Sequence, residues 1–159
     1  MVAERLAPAH PGPASVSLPT GIRDAIVAEA RRRLPNEACG ILVGDRPATE
    51  GGRPLRWVPL RNALASPFRY EIHPDDLLRL TVEVERAGEA FWAIVHSHVA
   101  SPGRPSPTDV RQSFYPEALY LVVSLDPSEA DPGTGAGSVR AWRIVAGRVH
   151  EVALSVAPS

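Results

Sequence analysis

The sequence predicts an α/β domain in which a mixed β-sheet carries helices on both faces. Two observations lead there. Segments with helical spacing alternate with short apolar or alternating runs, in the order helix, strands, helix, strand, helix, strands. The chain also has 159 residues, 44% hydrophobic and 22% charged, which is ordinary globular composition and long enough for one domain with a real core.

Taken in order, residues 1–19 hold Ala, Pro, His and Gly with little periodicity. They are expected to be a disordered tail with a solvated His10, and the domain to occupy residues 20–155. Thr20 is a candidate cap for a helix over residues 21–33. Ile22, Ile26, Val27 and Ala30 give that helix an apolar face, Arg31 to Arg33 favour its C-terminal dipole, and Pro35 ends it. Residues 40–44 read as a short apolar strand and 45–52 as a turn-rich connection. Residues 55–60 are a second strand, with Pro59 hinting at an edge. Residues 62–67 are a loop, and the alternation of 68–72 predicts a third strand. A helix over 74–87 has Leu77, Leu80 and Val84 on one face and Gly88 as its stop. The chain then predicts a strand at 91–98, a loop at 99–105, a short helix from Pro107 to about Phe114 and a buried strand at 118–125. A surface loop at 126–137 follows, and a closing hairpin joins strands 139–145 and 148–154 across Ala146-Gly147.

Composition excludes several functions. The net charge is −1 and no basic stripe appears, so nucleic acid is not an expected partner. No apolar run is long enough to span a membrane, and no signal-peptide pattern is present. One cysteine makes no internal disulfide, which fits a cytoplasmic enzyme. All seventeen basic residues are arginine, so Walker A and Schiff-base lysine chemistry cannot occur.

The informative stretch is Ile94 to Val110, IVHSHVASPGRPSPTDV. Residues two apart on a strand point the same way, so His96 and His98 can present two imidazoles to one point. Asp109 can add a carboxylate from the next element. Two imidazoles and one carboxylate make a three-ligand site that suits Zn2+, with a fourth position open for water as in a catalytic site. A second reading covers part of this stretch without a metal. Ser106 with Asp109 three residues on is a capping box, with Pro107 at the first helical position.

His96-x-His98, seven residues, then Ser106-x-x-Asp109 resembles the metal motif of the JAMM/MPN+ metallopeptidases. The family pattern also has an upstream Glu, and Glu37 in Asn36-Glu37-Ala38-Cys39-Gly40 stands where it is expected. The resemblance covers about residues 20–153. One departure is Val99, where the family often has Pro directly after the second His; Val99 is not a ligand. The resemblance implies the cytidine-deaminase-like JAMM/MPN fold. It also implies zinc on His96, His98 and Asp109, Glu37 as the group that moves the water's proton, and Ser106 as a donor to the oxyanion on the scissile carbonyl. Its bacterial stand-alone members trim adducts from the C-terminus of ubiquitin-like sulfur-carrier proteins. The implied partner is therefore a ubiquitin-like or sulfur-carrier protein ending in Gly-Gly.

The remaining candidates read as structural. Ser97 points to the opposite face of the strand from the histidines. Cys39 has no spare histidine to activate it as a nucleophile and reads as a small buried hydrophobe. His73, at a helix start, is structural, and His150 is expected to be exposed. Competing functions are a deconjugating protease for ubiquitin-like modifiers and a metal-free scaffold on the same fold. The scaffold reading is weakened by the presence of all four of Glu37, His96, His98 and Asp109. A zinc deaminase needs a Cys-x-x-Cys pair that one cysteine cannot supply.

Overall fold

The computed structural model describes residues 12–132, 135 and 137–158; the expected solvated His10 lies outside them. Seven strands form one sheet in the order β1-β7-β6-β5-β4-β2-β3. They are β1 (Ser15–Pro19), β2 (Cys39–Gly44), β3 (Pro54–Leu60), β4 (Ala90–His98), β5 (Leu119–Ser124), β6 (Ser138–Val145) and β7 (Arg148–Ala157). The β4–β5 and β1–β7 pairs are parallel and the others antiparallel, so the sheet is mixed as expected.

Alternation along the strands divides the core in two. Leu42, Ala93, Val95, Leu119, Leu121 and Val123 face α1 (Thr20–Arg32), which contributes Ile26, Val27 and Ala30. Ile41, Val43, Ile94, Tyr120, Val122 and Trp142 face α2 (Pro74–Arg86), which contributes Leu80 and Val84. Each such side chain gains about 1.5–3 kcal/mol on leaving water, and this fixes the register. β2, β4 and β5 are buried on both sides because each has a strand on either edge and a core on either face.

Several expectations need correcting. Part of the predicted tail is ordered: residues 15–19 form the edge strand β1, whose Leu18 is fully buried and which pairs with β7. Thr20 does not cap α1. Pro19 holds the cap position, and the Thr20 hydroxyl donates to the Ala157 carbonyl at 3.0 Å. Residues 68–72 form no strand beyond the single bridge Asn62↔Ile72. The third helix, α3 (Pro107–Arg111), stops short of Phe114. β3 does lie at a sheet edge, where the missing Pro59 N–H costs no ladder bond.

Candidate metal centre

β4 carries the site. His96 and His98 both lie on its α2 face, and both are buried. Strand pairing explains their fixity: His96 is opposite Cys39 on β2 and Val122 on β5, and His98 is opposite Ser124. α3 brings Asp109 to them. His96 Nε2 is 3.0 Å and His98 Nε2 3.2 Å from Asp109 Oδ2, and the two nitrogens are 3.2 Å apart. Three donor atoms this close lie a few tenths of an ångström inside the edges, about 3.3–3.6 Å, of a tetrahedron built on metal bonds of about 2.0–2.2 Å. They are the one such cluster among the described residues with the composition to hold a metal ion.

Each ligand is oriented by a second contact. His98 Nδ1 lies 2.7 Å from the Pro102 carbonyl, which can only accept, so in the neutral ring Nδ1 carries the proton and Nε2 keeps its lone pair. The Pro102 carbonyl is itself held in place. The neighbouring Ser101 carbonyl accepts from Ser124 Oγ, Gly103 N–H donates to Glu129 and the Gly103 carbonyl accepts from Trp142 Nε1. The loop at 99–105 is thus a strap on the sheet. The Tyr70 ring stacks on His96 with centroids 4.3 Å apart and planes 17° from parallel.

Ser106 and Asp109 satisfy both readings of their motif. Ser106 Oγ accepts from the Asp109 N–H at 3.1 Å, and Asp109 Oδ2 accepts from the Ser106 N–H at 2.8 Å, a complete capping box. The same Oδ2 faces both imidazoles. The Ser106 hydroxyl hydrogen has no acceptor in that box and is left to donate.

Glu37 lies two residues before β2, 4% exposed, and its Oε2 has no hydrogen-bond partner. Burial pushes its pKa up to about 8, with His98 opposing and Asp109 adding to the rise. Burial acts on Asp109 in the same direction, but the hydrogen bonds from His96 and His98 prevail and hold its carboxyl well below the usual range. Burial lowers His96. For His98 burial also works downward, but hydrogen bonds to Asp109 and Pro102 raise it overall. The site therefore places a carboxyl whose pKa is raised near one whose pKa is lowered.

Residues 19–145 match the family model described as prokaryotic homologs of the JAB domain. The chain belongs to that family. Among relatives of this JAB domain is the CysO-cysteine peptidase of Mycobacterium tuberculosis. It is 39% identical over 135 residues, which cover 84% of this chain and 85% of that one. The desampylase of Haloferax volcanii is 33% identical over 116 residues, covering 70% and 81% of the two chains. The solution structure of a protein from Desulfitobacterium hafniense superposes with a TM-score of 0.72 at 31% identity, covering 90% of this chain and 93% of that one. A JAB1/MPN domain protein from Archaeoglobus fulgidus shares the fold, with a TM-score of 0.52 at 17% identity over 89% of this chain and 98% of its own.

Within this JAB domain the structure brings His96, His98 and Asp109 together. Ser106 caps the helix that carries Asp109, and Glu37 lies near enough for the charges of His98 and Asp109 to act on it. Ser97 lies on the opposite face, as expected: its Oγ accepts from the Ala38 N–H at 2.8 Å, fastening the corner that holds Glu37. Cys39 is 1% exposed, and burial first of all pushes its thiol up to about 12, so no thiolate nucleophile forms. His73 caps α2 and His150 is exposed. Tyr70, and Glu129 and Trp142 that hold the strap through Gly103, escaped the sequence reading. The signal at Tyr70 was an aromatic in an alternating run, which resembled a strand.

Proposed function

We propose that this JAB domain is a zinc metallopeptidase. In this reading it hydrolyses an amide bond at the Gly-Gly C-terminal tail of a ubiquitin-like or sulfur-carrier protein. The observation that carries the reading is the convergence of His96 Nε2, His98 Nε2 and Asp109 Oδ2 within 3.0–3.2 Å of one another. The donor set fits the ion: two neutral nitrogens and a carboxylate oxygen, on three protein residues, suit zinc with a position left for water or substrate. Bound zinc would supply a lowered water pKa and polarisation of the scissile carbonyl.

The chain's own residues do the rest. His96, His98 and Asp109 hold the ion, and Pro102 and Tyr70 fix the rings. Glu37 takes the proton from water at its carboxylate and returns it to the leaving nitrogen. Its raised pKa suits it to both halves of that transfer. The Ser106 hydroxyl donates to the carbonyl oxygen as negative charge develops there. A glycine tail lets the substrate backbone come close to a recessed site that a side chain would obstruct. The peptidase and desampylase names of the relatives support this substrate class, and the single buried cysteine supports a cytoplasmic site of action. No described helix is long and apolar enough to cross a membrane.

The test uses two substrates, a carrier protein whose terminal Gly is joined to cysteine and one joined to a lysine side chain. The purified chain is expected to hold one zinc and to release the carrier from at least one substrate. Glu37→Gln is expected to keep the zinc and lose about 10²–10⁴-fold in rate. Near-normal turnover in Glu37→Gln, or a chain that binds no zinc, would refute the reading. Faster cleavage of the lysine-linked substrate would turn it toward a deconjugating protease.

A further inference from the structure

We propose that Asn62 is a positioning residue for the reaction, one side chain that ties Glu37 to the ring packed on His96. The proposal rests on the catalytic role assigned to Glu37.

Asn62 uses all the hydrogen-bonding capacity of its amide. Nδ2 donates to the Glu37 carbonyl at 3.1 Å and to the Arg69 carbonyl at 3.0 Å. Oδ1 accepts from the Leu64 N–H and the Glu71 N–H, each at 3.1 Å. The four partners belong to two places. One is the corner that carries Glu37. The others span a loop, residues 62–72, whose ends are joined at the Asn62↔Ile72 bridge.

The loop returns the contact. Its Ser66 carbonyl accepts from the Glu37 N–H at 2.8 Å. Both backbone polar groups of Glu37 are therefore held by the same loop, one through Asn62 and one through Ser66. Residue 70 lies between the two backbone groups, on Arg69 and Glu71, that Asn62 grips. Its tyrosine ring is the one stacked on His96 at 4.3 Å. The loop also contains Ala65 at φ 44°, a conformation an alanine adopts only when its surroundings impose it. A short loop with no helix or strand of its own is thus fixed from within, and the one side chain that joins its two arms to the Glu37 corner is Asn62. An amide is required: the corner and Arg69 offer carbonyls, while Leu64 and Glu71 offer N–H groups. A side chain with donors only or acceptors only leaves half of them unmet.

Two variants separate positioning from mere folding. Asn62→Ala removes all four bonds. Asn62→Asp is isosteric, keeps the acceptor toward Leu64 and Glu71, and loses the donors toward Glu37 and Arg69. A stacked aromatic ring displaces the resonances of the imidazole protons beneath it. The first readout is therefore the NMR position of the carbon-bound His96 ring protons, with Tyr70→Leu defining the unstacked value and Tyr70→Phe the stacked one. This readout needs neither metal nor substrate, so it stands even if the proposed reaction fails. We expect Asn62→Ala to move the His96 resonances most of the way to the Tyr70→Leu position, and Asn62→Asp part of the way. The second readout is turnover. Misplacement of about 1 Å costs roughly 10²-fold, so kcat should fall by about that factor in Asn62→Ala, with KM and zinc content near wild type. In a Glu37→Gln background the same substitution should cost far less, because the two act through one group.

Unchanged His96 resonances, or wild-type kcat in both Asn62 variants, overturns the proposal. Rate losses that multiply independently with Glu37→Gln overturn the link to Glu37. If neither variant folds, Asn62 is a folding residue and the positioning role is refuted. A wild-type chain without hydrolytic activity, but with the expected His96 shifts, refutes the peptidase reading and leaves the structural link intact.

Discussion

Two helix starts in this molecule carry the same local pattern and serve different ends. His73-Pro74-Asp75-Asp76 opens α2, and Ser106-Pro107-Thr108-Asp109 opens α3. Both place a capping side chain, then Pro at the first helical position, then an acid at the third. At α2, His73 Nδ1 accepts from the Asp75 N–H, and Asp76 turns to the backbone and guanidinium of Arg61. At α3, Asp109 closes the capping box and turns inward to two imidazoles. The difference lies in what each helix can do alone. α2 has thirteen residues and buries Leu80 and Val84 against the sheet, so its start need only be capped. α3 has five residues and buries only Asp109, too short to persist in isolation. Its position is set by the cap and by the histidines, so the short helix is part of the site.

The largest effect should come from exchanging the two acids. Asp109→Asn is expected to lower zinc affinity by more than the ~10–100-fold that loss of an outer partner costs, since it removes a ligand. Asp76→Asn should leave zinc affinity unchanged and lower stability by about 1–3 kcal/mol, because the bonds it weakens are charge-assisted and bidentate. Zinc titration and thermal melts of both variants check this. Equal zinc loss in the two would break the distinction.

The next effect separates the caps. Losing either capping side chain should cost about 1 kcal/mol of stability. Only Ser106→Ala should also lower kcat, by about 10²–10³-fold, because in the proposed reaction its hydroxyl donates to developing charge. His73→Ala should turn over normally once folded. A Ser106→Ala enzyme with normal kcat and reduced melting temperature would reduce Ser106 to a cap.

The same contrast explains what could be read from the sequence. The candidate metal donors were legible because their geometry is local: two residues apart on a strand, and a cap with its acid three residues on. The central strands were legible because burial on both faces leaves unbroken apolar runs. The edge strand β1 was not, since five residues flanked by Pro-rich sequence give little periodicity, and its partner β7 lies at the far end of the chain. Residues 68–72 misled for a related reason. Phe68, Tyr70 and Ile72 alternate like a strand, yet Phe68 is 84% exposed and Tyr70 is buried with its ring stacked on His96. The loop owes much of its shape to Asn62, and no local pattern distinguishes an asparagine that organises a loop from one that merely sits in it. Glu37 lay between these cases. Its place came from family likeness, and its burial only from the structure.

The smallest predicted effect concerns how the two regions treat their acids. Asp76 is met by hydrogen bonds from Arg61, which hold its carboxyl well below the usual range. Glu37 is buried with Oε2 unpartnered, and its pKa stands near 8. In the unfolded chain the same carboxyl titrates at about 4.3. Between these values the folded metal-free protein holds a proton that the unfolded chain has released. More protons bound in the native state means that stability falls as pH rises through this window. Glu37→Gln removes that term and keeps the shape. The metal-free variant should therefore melt above wild type, with the gap widening from pH 5 to pH 8. The gap should be on the order of 1 kcal/mol, or about 2–4 °C. Other titrating groups are common to both proteins and largely cancel in the difference. Added zinc should narrow the gap, because a nearby cation favours the carboxylate. Thermal melts of both proteins at the two pH values, with and without zinc, decide the matter. A gap that stays constant with pH, or widens toward acid, would mean that Glu37 is as well satisfied as Asp76 and stays ionised in the folded metal-free chain.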